Sequence, residues 1–155
     1  MKYIDTSAFV KYYGDSKFEK GADKIIDLIE NAKQGKEILI TSIFTIGEVV
    51  SVFDRWVRIK AITEDDLSKI ISRFFSDLEK LNNSGGLSIE SINPLSVVFS
   101  IENILKYHLS INDSLHLYTA LMLKNQISQF ISSDENQLIA AKKEGFEIWN
   151  PETTL

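Results

Sequence analysis

Apolar residues in this 155-residue chain fall into short runs that alternate with longer stretches of helical spacing. The short runs, rich in branched and aromatic side chains, predict strands at residues 2–5, 37–41, 87–91, 129–132 and 147–149. Apolar positions recurring every three to four residues predict helices at 9–12, 17–32, 43–58, 64–81, 94–107, 113–124 and 135–144. Local chemistry agrees with these limits. Ser16 with Glu19 and Thr63 with Asp66 form capping pairs, Asn93 and Pro94 read as cap and first helical residue, and Gly145 stops a helix. Residues 82–86, Asn-Asn-Ser-Gly-Gly, read as a turn. Strands that alternate with helices imply an α/β fold, a three-layer α/β/α sandwich with a mainly parallel sheet.

Composition narrows the class. With 44% hydrophobic residues and only 2 prolines, residues 1–155 read as one domain with a sizeable core. No stretch approaches the roughly 20 apolar residues of a membrane helix, since Glu48, Arg55 and several serines interrupt the best candidate. A strand starting at Lys2 leaves no room for a cleavable leader, and the absence of cysteine excludes disulfides and thiolate metal sites. A cytoplasmic protein without membrane association is the expectation. The net charge of −5 and pI near 5.1 have the wrong sign for a nucleic-acid binder, unless bound cations or a local basic patch reverse the field.

Four acids change that picture through their placement. Asp5 ends the first strand, Glu48 interrupts the apolar run of residues 43–53, Asp113 opens a helix and Asp134 follows the fourth strand. In parallel sheets ligands bind outside the carboxyl ends of the strands, so three of these carboxylates converge on one rim. Each has a bland alternative. Asp5, Asp113 and Asp134 could serve helix starts, and Glu48 could face solvent. Against the first of these, Thr6 and Ser7 stand ready to cap the helix after Asp5. Asn112 could be the true cap beside Asp113, and Glu135 could replace Asp134. Taken together the four suggest a metal cluster. Carboxylates suit hard ions such as Mg2+ or Mn2+, while two histidines, His108 and His116, and no cysteine make a closed zinc site improbable. Two such ions could activate a water and hold a scissile phosphate, leaving 5′ phosphate and 3′ hydroxyl ends.

The segments Ile4-Asp5-Thr6-Ser7-Ala8, Glu48 in its apolar helix, Asn112-Asp113-Ser114-Leu115-His116 and Ser132-Ser133-Asp134 occur in the order of a PIN-domain ribonuclease. The resemblance spans essentially the whole chain, and in length and layout it is similar to the VapC-type toxins of toxin–antitoxin pairs. It implies a Mg2+- or Mn2+-dependent endoribonuclease acting on RNA with Asp5, Glu48, Asp113 and Asp134 as its acids. It further implies a cognate antitoxin that docks near the acidic groove, and a homodimer. Thr6, Ser7 and Ser132 are expected to support the carboxylates, and His116 to pack beside them rather than act as a base. Arg55, Arg58 and Lys60, with Trp56 among them, form the clearest basic and aromatic cluster for RNA; Lys11, Tyr12 and Tyr13 form a weaker one. A haloacid-dehalogenase phosphatase would need an acid where Ser7 stands, and the late lysine of a response-regulator receiver is not visible. The serious alternative is a catalytically silent PIN-like module that binds RNA or a protein.

Overall fold

The computed structural model describes residues 1–14 and 19–153. Five strands, β1 (Lys2–Ile4), β2 (Leu39–Ser42), β3 (Leu87–Glu90), β4 (Gln129–Ile131) and β5 (Ile148–Trp149), form one sheet in the order β3-β2-β1-β4-β5. Every pairing is parallel, so all carboxyl ends share one edge. The central strands β2, β1 and β4 are largely buried on both faces and divide their side chains by alternation. Ile4, Leu39 and Ile131 join one core, while Tyr3, Ile40 and Phe130 join the other.

Helices α1 (Thr6–Phe9), α2 (Ala22–Lys33), α3 (Phe44–Arg58) and α4 (Glu64–Asn83) contribute to the first core. Helices α6 (Ile111–Met122) and α7 (Glu135–Lys143) contribute to the second. A 3-10 turn, Val10–Tyr12, follows α1 directly. The first helix therefore begins at Thr6 rather than at residue 9, because the side chain of Asp5 itself caps it, not Thr6 or Ser7. The cap of α2 is Gly21; Ser16, of the expected capping pair with Glu19, lies outside the described residues. Thr63 and Asp66 do form their reciprocal cap, as do Asn93 and Ser96 at the start of α5 (Pro94–Tyr107). Helix α6 starts two residues earlier than the sequence suggests, since the Ser110 hydroxyl accepts from the Asp113 N–H. Gly145 takes a left-handed φ of +86° after α7, a conformation that strains any side chain with a Cβ.

Helix α5 is built in reverse. It buries Ser96, Ser100 and Asn103 against its neighbours, with the Ser114 hydroxyl of α6 donating to the Ser100 carbonyl. Leu95, Val98, Phe99 and Leu105 are each more than half exposed. On the opposite side of the molecule, Asp77 of α4 is buried and meets the Lys33 Nζ at 2.7 Å, with Arg73 and Lys80 at 3.6 Å. That cluster ties α4 to α2.

Candidate active site

The chain runs from β1 to β2 and β3 on one side, then crosses to β4 and β5 on the other. The order reverses between β1 and β4, and the crevice of such a sheet opens there. Register makes the placement close. Ile4 pairs with Ile131 and the Asp5 N–H donates to the Ile131 carbonyl at 2.9 Å, so Asp5 and Ser132 emerge side by side. A cavity of about 290 Å3 lies at this edge, lined by Asp5, Glu48, Asp113, Asp134 and Arg55 among others. The four acids singled out in the sequence thus share one pocket. A larger cavity, about 630 Å3, lies between Tyr13, Trp56, Ile62 and Ile70 and contains none of them. Chemistry rather than size selects the smaller one.

Each carboxylate is held by its own donors. Asp5 Oδ2 accepts from the Ser7 N–H at 3.1 Å, the Ser7 hydroxyl at 2.7 Å and the Ser132 hydroxyl at 3.2 Å. Asp5 Oδ1 accepts from Gln137 Nε2 at 3.3 Å. Asp134 caps α7 through Oδ1, which accepts from the Gln137 N–H at 2.8 Å. Asp113 Oδ2 accepts from the Ser110 hydroxyl at 2.6 Å. Glu48 Oε2 accepts from the Thr6 hydroxyl at 2.5 Å and faces His116 Nε2 at 2.7 Å. Among the described residues no three His, Asp or Glu side chains are already gathered into a metal-binding group. The acids line one pocket without being drawn to one point.

His116 is buried and bridges two layers, with Nδ1 at 2.8 Å from the Tyr3 hydroxyl and Nε2 on Glu48. Burial, backed by the Asp5 and Glu48 carboxylates, lifts Tyr3 well above the usual phenol range and keeps it protonated. Burial opposes a charge on His116, but the carboxylates of Asp5, Glu48 and Asp113 outweigh it and raise the imidazole pKa. With the proton on Nε2, as in one neutral tautomer and in the imidazolium, the ring donates to Glu48; in that neutral tautomer Nδ1 accepts from the Tyr3 hydroxyl. Through Nε2 the buried ring rests against Glu48. Burial, then the nearby charges of Asp5 and Asp134, raise Asp113 above the ordinary carboxylate range, against the Ser110 hydrogen bond.

The basic residues have different surroundings. Arg55 lines the acid pocket, but Arg58 pairs with Asp54 at 3.0 Å, and Lys60 is an exposed residue just past α3. Trp56 packs edge-on against Phe53 and lines the larger cavity instead. Lys11, Tyr12 and Tyr13 are buried, with Lys11 paired to Glu19 and Glu152, so they offer no surface for RNA. Two residues of the site gave no signal in the sequence. Tyr3 occupies an ordinary strand position, and Gln137 sits three residues after Asp134 like any polar residue in a first helical turn.

A family model, PIN domain, matches residues 2–143. The chain belongs to the PIN domain family. A comparison with curated proteins finds no match. Among solved structures this PIN domain is similar to Mycobacterium tuberculosis VapC20 (Rv2549c), a sarcin-ricin loop cleaving toxin. The identity is 15%, both chains are covered over 100% of their length, and the TM-score is 0.60, a likeness of fold. No helix among the described residues is long and apolar enough to cross a membrane.

Proposed function

We propose that this PIN domain is a divalent-metal-dependent endoribonuclease, the VapC-type toxin of a toxin–antitoxin pair, acting in the cytoplasm. One observation carries the reading: four carboxylates with neutral donors behind them line the crevice between β1 and β4 of a PIN domain. The pocket offers only hard oxygen donors at these positions, and that set fits Mg2+ or Mn2+. Asp5, Glu48, Asp113 and Asp134 would hold the metal. When bound, it would supply an activated water and neutralise charge on the phosphate.

The rest is the work of the chain. Ser7 and Ser132 hold Asp5 in one rotamer, while Thr6 and His116 do so for Glu48. Arg55 is the cation placed to meet an RNA phosphate beside the acids. Arg58 and Lys60 would extend that contact along the backbone of a longer RNA. The negative pocket would also receive a basic segment of a cognate antitoxin and be silenced by it. The reversed helix α5 supports the homodimer reading, since its exposed leucines and Phe99 form an apolar stripe fit for burial against a second copy. Light scattering should then give the mass of two chains, and Phe99→Asp that of one.

The deciding experiment incubates a labelled RNA pool with purified protein in Mn2+, Mg2+ or EDTA, beside Asp5→Asn. Cutting that needs metal and disappears in the variant is the expected result. Cleavage that survives Asp5→Asn, or no cleavage together with a melting temperature indifferent to metal, would overturn the nuclease and favour a binding module.

A further inference from the structure

Gln137 is fully buried and touches three of the four acidic positions. Its main-chain N–H donates to Asp134 Oδ1 at 2.8 Å. Its side-chain Nε2 lies 3.3 Å from Asp5 Oδ1 and 3.5 Å from the Asp113 carbonyl oxygen. Both amide hydrogens are thus shared between acceptors on β1's end and on α6, and the lengths show an amide suspended between the two. The opposite amide orientation would set Oε1 against a carboxylate and a carbonyl, three acceptors facing one another, so the orientation follows from the surroundings. The cost falls on Oε1, a buried oxygen with no partner among the described residues. Packing alone gives no reason for that cost, because Met would fill the same space without it.

We infer that Gln137 is a positioning residue that fixes Asp5, Asp113 and Asp134 relative to one another and so presets the carboxylate spacing for a divalent cation. The inference rests on the nuclease reading above. Asp5 shows what the amide contributes. Three donors crowd its Oδ2, whereas Oδ1 accepts only from Gln137 and has His116 Nε2 at 3.5 Å, beyond a good hydrogen bond, which leaves it the oxygen with more capacity for a further partner. Without the amide, Oδ1 loses its hydrogen bond to α7, and the main chain of α6 loses its tether to the same helix. Asp134 keeps its cap, since the main-chain N–H at position 137 remains.

The test is Gln137→Met, with Mn2+ alone titrated into metal-free protein and binding followed by electron paramagnetic resonance. Outer supports of this kind typically change metal affinity about 10- to 100-fold, and a loss in that range is expected. Metal-free melting should change little, the removal of the partnerless Oε1 offsetting the hydrogen bond lost at Asp5 Oδ1; at saturating metal kcat should fall while KM for RNA holds. Mn2+ binding as tight as that of the wild type would overturn the inference. Should the variant not fold, the wild-type Gln137 side-chain amide resonance is followed during a Mg2+ titration. It should move with the binding midpoint, and a resonance unmoved at saturation would refute the role. Wild-type protein that binds no Mn2+ sinks the nuclease reading and this inference together. Wild-type binding matched by Gln137→Met sinks this one alone.

Discussion

Two buried carboxylates, Asp5 and Asp77, are nearly equal in exposure at 4% and 2%, yet their surroundings are opposite. Asp77 is ringed by cations: Lys33 at 2.7 Å, with Arg73 and Lys80 at 3.6 Å. Burial opposes the charge on Lys33, but hydrogen bonds to Asp77, Tyr12 and Glu30 carry its pKa above the ordinary lysine value. Arg73 also lies over the Tyr12 ring at 4.6 Å, so the cluster knits α4 to the turn after α1. Asp5 has two hydroxyls, an amide and one main-chain N–H around it and His116 Nε2 at 3.5 Å, with three more carboxylates lining the same pocket. A buried acid surrounded by cations has its charge compensated within the fold, even though Asp77 Oδ2 itself lacks a hydrogen-bond partner among the described residues. One held mostly by neutral donors among other acids, with a single imidazole for the group, is positioned with its charge only partly compensated, and such an arrangement suits a cation from outside.

The comparison predicts that the two acids fail in different ways. Removing one partner of a buried ion pair costs about 3–5 kcal/mol, and Asp77→Ala is expected near 3, because Lys33 retains Glu30 and the Tyr12 hydroxyl. For a chain of this size the loss lowers the melting temperature by roughly 6–12 °C. The folded variant should still respond to metal. At a free concentration of about 100 Kd, Mn2+ should add about 2.7 kcal/mol to Asp77→Ala and to wild type, but nothing comparable to Asp5→Asn. Calorimetry of the three proteins with and without Mn2+ checks both halves. Equal metal responses in all three would erase the distinction between the clusters.

The same contrast separates what was legible in the sequence from what was not. Alternation within strands and apolar spacing within helices report burial, so the layers, the parallel sheet and the strand positions followed from the pattern. The rim of the sheet was legible as well, because an acid directly after a strand has few places to go. Side-chain partners across the fold were not. The Gln137 amide reaches Asp5, which is 132 positions away in the chain, and His116 reaches Tyr3 across 113; no local spacing encodes either bond. Arg55, Arg58 and Lys60 are neighbours in sequence, but their partners were not legible there: Arg55 lines the acid pocket while Arg58 pairs with Asp54. Helix α5 exposes the limit of the rule that apolar means inside. Its pattern gave the helix correctly, but its apolar face points outward, and only the packing of Ser96, Ser100 and Asn103 reveals that.

The smallest effect expected is one of pH, and its sign follows from the acid pocket. Asp113 is raised from 3.8 by burial and then by Asp5 and Asp134. His116 is raised from 6.5, its three neighbouring carboxylates outweighing burial. In both cases the folded chain binds protons more tightly than the unfolded one. Their stabilising contributions are therefore complete below the unfolded pKa values and are lost as pH rises through the folded ones. Asp113→Asn removes the first contribution, so metal-free Asp113→Asn should gain stability relative to wild type as pH climbs from the carboxylate range toward neutrality. Mn2+ reverses the slope for the wild type, because carboxylate ligands bind metal only when deprotonated. Melting temperatures of both proteins across that range, in EDTA and in Mn2+, read the two slopes directly. If the difference between wild type and Asp113→Asn stayed flat in EDTA, Asp113 would not carry the strain of neighbouring charge, and the acid pocket would resemble the Asp77 cluster in being balanced already.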